Sequence, residues 1–221
     1  MTYSIALDGP SGAGKSTLAK AVAQRLGILH VDTGAMYRAI GVYVLRQGKN
    51  TADPAQVIPC LPHIHISLRF GEDGQRIFLD GEDVSQAIRE PEASMAASNV
   101  SAIPEVRAFL LEQQRDLARQ SSVIMDGRDI GTVVLPDATV KIFLTAAPEA
   151  RARRRWKELR DKGHDVAYED ILEEVKLRDY NDSHRAAAPL KQAPDALLAD
   201  TTSLDFQQSL ELLLSIIKDR T

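Results

Sequence analysis

Residues 9 to 16 read Gly9-Pro10-Ser11-Gly12-Ala13-Gly14-Lys15-Ser16, the spacing of a loop built to hold phosphates. Its glycines let successive backbone N–H groups turn inward around anionic oxygens, and a helix beginning at the lysine offers its positive end to the same charge. Lys15 is expected to reach the β and γ phosphates of ATP, and Ser16 to supply a hydroxyl to Mg²⁺. Such a loop fixes its surroundings, because it needs a buried strand before it and an amphipathic helix after it. Ser4 to Leu7 is the apolar run, and Leu18, Ala19, Val22 and Leu26 fall at helical spacing between Lys15 and a stop at Gly27.

The alternation continues along the chain. Further apolar runs at Ile28 to Val31, Ser122 to Met125, Val140 to Leu144 and Leu197 to Ala199 predict parallel strands. Helices are predicted over Met36 to Gln47, Pro104 to Ala118, Pro148 to Lys162, Tyr168 to about Arg185, and Asp205 to Lys218. Strand and helix in turn give an α/β fold of three layers around a central five-stranded parallel sheet with right-handed crossovers. Residues 64 to 84 break the pattern with period-two alternation at Ile64, Ile66, Leu68 and Phe70, a Gly71-Glu72-Asp73-Gly74 turn, then Ile77 and Leu79. The expected organisation is a core of residues 1–59 and 103–221, with a small α+β unit at 60–102 inserted in it and a helical lid at about 148–167.

A net charge of −4 argues against a protein that lives on nucleic acid or on an anionic membrane, since either needs a basic footprint. No apolar run approaches the ~18 residues that span a bilayer, and the single cysteine, Cys60, excludes an internal disulfide. A cytoplasmic monomer is expected, with small-molecule nucleotides as its partners. Arginine clusters in so acidic a chain need a local reason.

A phosphate loop also wants a carboxylate at the end of a neighbouring strand, and Val123-Ile124-Met125-Asp126 provides one, making Ser16 and Asp126 the candidate Mg²⁺ ligands. Gly127-Arg128-Asp129 follows at the edge where ligands of open α/β sheets bind. The Asn-Lys-x-Asp of switch GTPases is absent, which favours transfer to a small acceptor. An anionic acceptor demands arginines from separate segments. Arg38 lies near the first turn of a helix, the wrong end of the dipole for a cation, and is expected to be held by an anion; Asp32 or Thr33 is the expected cap. Arg178, Asp182 and Arg185 form a stripe at i, i+4 and i+7, and the basic run 151–160 reads as a lid that delivers cations to the migrating phosphoryl group.

Four motifs together carry a resemblance: Asp8 to Lys15, Asp32-Thr33-Gly34-Ala35-Met36-Tyr37-Arg38, Asp126-Gly127-Arg128-Asp129-Ile130-Gly131-Thr132, and Arg178 to Arg185. In this order they resemble the bacterial cytidylate kinases, nucleoside monophosphate kinases of the P-loop class, over nearly the whole chain. The resemblance implies ATP-dependent phosphorylation of CMP and dCMP, with the insertion as the monophosphate-binding domain. It further implies that Ser98, Arg107 and Asp129 read the base. Arg38 and Arg128 would bind the acceptor phosphate, and Arg178, Asp182 and Arg185 would lie around ribose and phosphate. Thr33 stands where many relatives carry Ser, and Ser16 where relatives vary between Gly and Ser. The expected donor set is Gly9 to Ser16 with Thr17 and Arg154, and the expected catalytic set is Lys15, Arg128 and Arg178. The alternatives are another small-acceptor kinase, for UMP, AMP or a non-nucleotide acid, and a nucleotide-binding regulator without transfer activity.

Overall fold

A computed structural model describes residues 2–71 and 74–220. In chain order the elements begin with β1 (Ser4–Asp8), α1 (Lys15–Leu26), β2 (Leu29–Asp32), α2 (Thr33–Arg46), α3 (Pro54–Val57), β3 (Ile66–Gly71), β4 (Gly74–Leu79) and β5 (Glu82–Asp83). They continue with α4 (Pro91–Ser101), α5 (Pro104–Gln120), β6 (Val123–Gly127), β7 (Val140–Thr145), α6 (Pro148–Asp161), α7 (Tyr168–His184), β8 (Leu197–Asp200) and α8 (Phe206–Lys218). A five-stranded sheet in the order β2-β6-β1-β7-β8 forms the centre, with every pairing parallel.

Its central strand is buried on both faces, so it reads as an unbroken apolar run. Ile5 and Leu7 pack toward α1 and α8 with Leu18, Val22 and Leu213, while Ala6 faces Val31, Met125 and Ile130 on the other side. Register then aligns the chemistry: Asp8 lies opposite Gly127, and Asp32 opposite Asp126, so three strand ends place their carboxylates in one row.

The period-two segment forms the expected hairpin, β3 against β4 antiparallel, with β5 returning after Asp80 and Gly81, both at positive φ. Glu72 and Asp73 of the expected tip lie outside the described residues. Ile77 and Leu79 from the hairpin and Val100 from α4 share one apolar cluster with Met36 and Ile40 of α2 and Leu110 of α5. The hairpin also touches the main sheet: Gln75 accepts from the Asp32 backbone N–H (3.0 Å) and donates to its carbonyl (3.3 Å).

Two helix boundaries correct the expectations. α2 starts at Thr33 rather than Met36, because the Asp32 carboxylate caps it by accepting from Ala35 N at 3.0 Å. Arg38 is therefore in the second turn. α7 ends at His184, and Arg185 is its C-cap in extended backbone (φ −64, ψ 142), so the three-residue stripe is not helical throughout.

Candidate active site

The phosphate loop depends on glycine at two points. Gly9 has φ +150, and a Cβ there would stand 1.9 Å from the Leu144 carbonyl oxygen on β7, so only glycine lets the loop leave the strand. Gly14, at φ 90, is the N-cap of α1 and supplies no side-chain cap. The first amides of α1 are thus free of side-chain competition for an anion. Lys15 is buried and donates to the Pro10 carbonyl at 2.8 Å, inside its own loop. Burial, with Arg128 close by, pulls its ammonium well below the ordinary lysine range, against the attraction of Asp126, Asp182 and Asp8.

Ser16 Oγ donates to Asp126 Oδ2 at 2.7 Å, and His30 Nε2 lies 2.7 Å from Oδ1 of the same carboxylate. A hydroxyl and a buried carboxylate converging beside the lysine are hard oxygen donors suited to Mg²⁺, which keeps waters and substrate phosphates as its other ligands. No cluster of three or more His, Cys, Asp or Glu side chains among the described residues could hold a metal without such help. Thr33 is buried and donates its hydroxyl to the Asp126 carbonyl at 2.8 Å.

Asp8 closes β1 and holds the loop after β6. Its two carboxylate oxygens accept from Ile130 N and Gly131 N, both at 2.7 Å, which fixes the turn carrying Arg128 and Asp129. Burial outweighs these two bonds, and with Asp129 nearby the carboxyl is raised from 3.8 to about 6. A raised folded-state value means that the native state holds a proton the unfolded chain has released. The stability Asp8 contributes is fully present below about pH 4 and is lost as pH rises through about 6, a change of about 3 kcal/mol. Chemical denaturation at pH 4 to 7 is expected to show this slope in the wild type and its loss in Asp8→Asn; equal slopes would refute it.

Beyond the loop, the arginines and acids interleave. Arg128 Nε donates to Asp182 Oδ2 at 2.7 Å, and Arg38 donates to Asp32 at 2.7 Å. The anion that holds Arg38 is thus its own helix cap. Arg107 is ion-paired with Asp129, while Arg185 reaches the other oxygen of Asp129 at 3.7 Å. Arg178 Nη1 donates to Ser94 Oγ at 2.7 Å. For Asp182 burial works against ionisation, but Arg128, Arg178 and Arg185 win and hold it below the usual carboxylate range. Burial and then Arg128 pull Arg178 down to about 10. Arg178 Nε and Arg185 Nη2 are buried with no hydrogen-bond partner among the described residues. Unsatisfied buried guanidinium donors are costly, and an anionic ligand relieves them.

These groups line one cleft of about 1160 Å³ that runs from Gly12 to Thr17 of the phosphate loop, past Arg38 and Arg128, to Ser98, Arg107, Asp129, Arg178, Asp182 and Arg185. Its size suits two ligands end to end. Arg154 lines the same cleft and donates to the Thr201 carbonyl at 2.6 Å. Gly9 and Pro10, at the start of the loop, do not line this cleft. Arg151 departs from the lid reading: it is 2% exposed and buried under the phosphate loop, so it is no mobile cation. Trp156 and Leu159 pack on Ala152, Ile171 and Val175, which joins α6 to α7. Sequence reasoning passed over Asp8 and His30. An acid ending a fully apolar strand was the available signal for Asp8; a lone His within a strand gave none.

The cytidylate kinase family model matches residues 5–219. The chain belongs to the cytidylate kinase family. A cytidylate kinase of Caldicellulosiruptor bescii is 51% identical over 96% of this chain and 94% of its own length. One from Caldanaerobacter subterraneus subsp. tengcongensis is 51% identical over 100% of this chain and 97% of its own length. Among solved structures, an uncharacterized protein from Eubacterium ventriosum superposes with a TM-score of 0.51 at 12% identity, covering 99% of this chain and 100% of that one, a likeness of fold. Membership of the family makes this protein a kinase, a phosphotransferase with the P-loop α/β fold. No helix among the described residues is long and apolar enough to cross a membrane.

Proposed function

We propose that the protein transfers the γ-phosphoryl group of ATP to CMP or dCMP, giving ADP and CDP or dCDP. The observation that carries this reading is the pair of buried guanidinium donors, Arg178 Nε and Arg185 Nη2, that make no hydrogen bond among the described residues and lie in the same cleft as the phosphate loop. The family's name supplies the acceptor base.

ATP lies along Ser11 to Thr17, with Lys15 turning from the Pro10 carbonyl to the β and γ phosphates and Arg154 beside the nucleotide. Ser16 and Asp126 would hold Mg²⁺, which when bound neutralises charge on the triphosphate. The acceptor phosphate takes Arg38, Arg128 and Arg178, the base meets Ser98, Arg107 and Asp129, and Asp182 and Arg185 lie around the ribose and phosphate. Thr33 orders the floor of this site through the Asp126 carbonyl. An oxygen of the acceptor phosphate forms the new bond to the γ-phosphorus. The bond from that phosphorus to the β–γ bridging oxygen breaks, leaving its electron pair on ADP. The attacking oxygen is already anionic at neutral pH, so no general base is required. Catalysis rests on positioning and charge cancellation by Lys15, Arg128 and Arg178.

In this reading residues 60–102 recognise the acceptor, residues 148–167 close over the donor, and the protein is a cytoplasmic monomer. A steady-state assay with ATP and Mg²⁺ against CMP, dCMP, UMP, AMP and shikimate tests it. CMP and dCMP are expected to lead in kcat/KM, and a preference for AMP or shikimate would overturn the assignment.

A further inference from the structure

Arg151 opens the basic run of α6, yet its guanidinium is turned away from solvent into the base of the molecule. Nε donates to the Ala146 carbonyl just after β7 (2.8 Å), and Nη1 donates to the Ser11 carbonyl in the phosphate loop (2.9 Å). The same fork grips Asp179 of α7 in two parallel bonds, Nη1 to Oδ1 at 2.9 Å and Nη2 to Oδ2 at 2.5 Å. Four of its bonds are therefore spread over three elements, an arrangement that a planar guanidinium can make and an ammonium cannot.

The neighbours of Asp179 give this its meaning. Arg178, the adjacent residue, donates to Ser94 of α4, and Asp182, one turn on, accepts from Arg128. Short polar contacts thus run from Ser11 through Arg151 to Asp179, the backbone of α7 carries the path to the neighbouring Arg178, and Arg178 reaches Ser94, so the route leads from the donor loop to the wall of the acceptor site.

We propose that Arg151 and Asp179 form a positioning strut that couples the two nucleotide sites, so that filling the phosphate loop sets Arg178 for the acceptor, and the reverse. Neither residue touches a reacting atom. When triphosphate fixes the loop, the Ser11 carbonyl is fixed with it, and the bidentate pair passes that constraint to the helix that carries Arg178. Such coupling is reciprocal: each nucleotide tightens the other by the same factor. The inference rests on the proposed ATP and CMP reading.

The test is calorimetric titration of the full-length protein with a non-hydrolysable ATP analogue and Mg²⁺, with and without CMP, alongside steady-state kinetics. The wild type is expected to bind the analogue at least about 5-fold more tightly when CMP is present. Asp179→Asn and Arg151→Lys keep the size of the side chains but remove the double charged bond. Each is expected to bring that factor close to 1, to raise each KM measured at saturating co-substrate by about the same factor, and to lower kcat about 10-fold or more. Arg151→Met, which cannot donate at all, should be worse than Arg151→Lys. A wild type without coupling, or variants that keep it while only melting earlier, would overturn the strut. Wild-type turnover with CMP is measured in the same series, and its absence would instead sink the proposed reaction. Arg151→Lys carries the test if Asp179→Asn does not fold.

Discussion

Turnover with ATP and CMP is expected to fall by at least about 10²–10³-fold when Lys15 is replaced by methionine, while the fold survives. The ammonium is the one lysine charge buried within the phosphate loop, and it is held there by a single loop carbonyl, Pro10, rather than by an acid. Removing it breaks no ion pair among the described residues. Methionine keeps the length of the stem, and a charge that burial already disfavours disappears, so thermal stability should stay level or rise. In the proposed reaction the transition state, by contrast, would lose a cation placed to meet the migrating charge. Steady-state kinetics beside a melting curve separates the two effects, and unchanged turnover would sink the assignment of Lys15.

Asp129→Ala is the second large effect, and it acts in the opposite sense on stability. Asp129 is buried between Arg107 and Arg185, and its removal leaves Arg107 without its ion-pair partner and Arg185 with Asp182 as its remaining nearby acid. Breaking a buried pair from one side costs about 3–5 kcal/mol. The same carboxylate is the proposed reader of the base, so the preference for CMP over UMP should shrink by about 10-fold or more. Denaturant titration measures the first quantity and the ratio of kcat/KM values the second. If CMP preference is intact in a variant that is otherwise destabilised, Asp129 is a brace for its arginines and not a reader.

The sheet was legible because each strand is a short apolar run with a helical pattern after it, and the ends of β1, β6 and β7 lie within two residues of where periodicity put them. The start of α2 was not, because Asp32 and Thr33 are both capping residues and only the bond from Ala35 N distinguishes them. Arg38 was expected to have an anion, and the one it has is local. Arg185 looked like the third residue of a stripe since spacing alone cannot show that α7 stops one residue earlier. Within the basic run at 151–160, Arg151 was misread for a related reason: charge density suggests solvent or ligand, and nothing in the sequence says that Arg151 turns inward to Ser11 and Asp179. Pairings across the chain, such as Asp8 with Ile130 and Gly131, appear only when strands align their ends. Those long-range pairs are what convert a row of strand ends into a site.

The contact between Gln75 and Asp32 reaches past recognition. β2 is the last strand on its side of the main sheet, and an unpaired strand edge invites another chain to add to it. The Gln75 side-chain amide accepts from the Asp32 N–H and donates to its carbonyl, taking the place of a ladder neighbour at the end of β2 that matters most for the site. The hairpin therefore serves as a stopper against intermolecular strand addition. Cutting residues 60–102 out of the chain would remove the proposed acceptor wall and, with it, a guard against the core sticking to copies of itself.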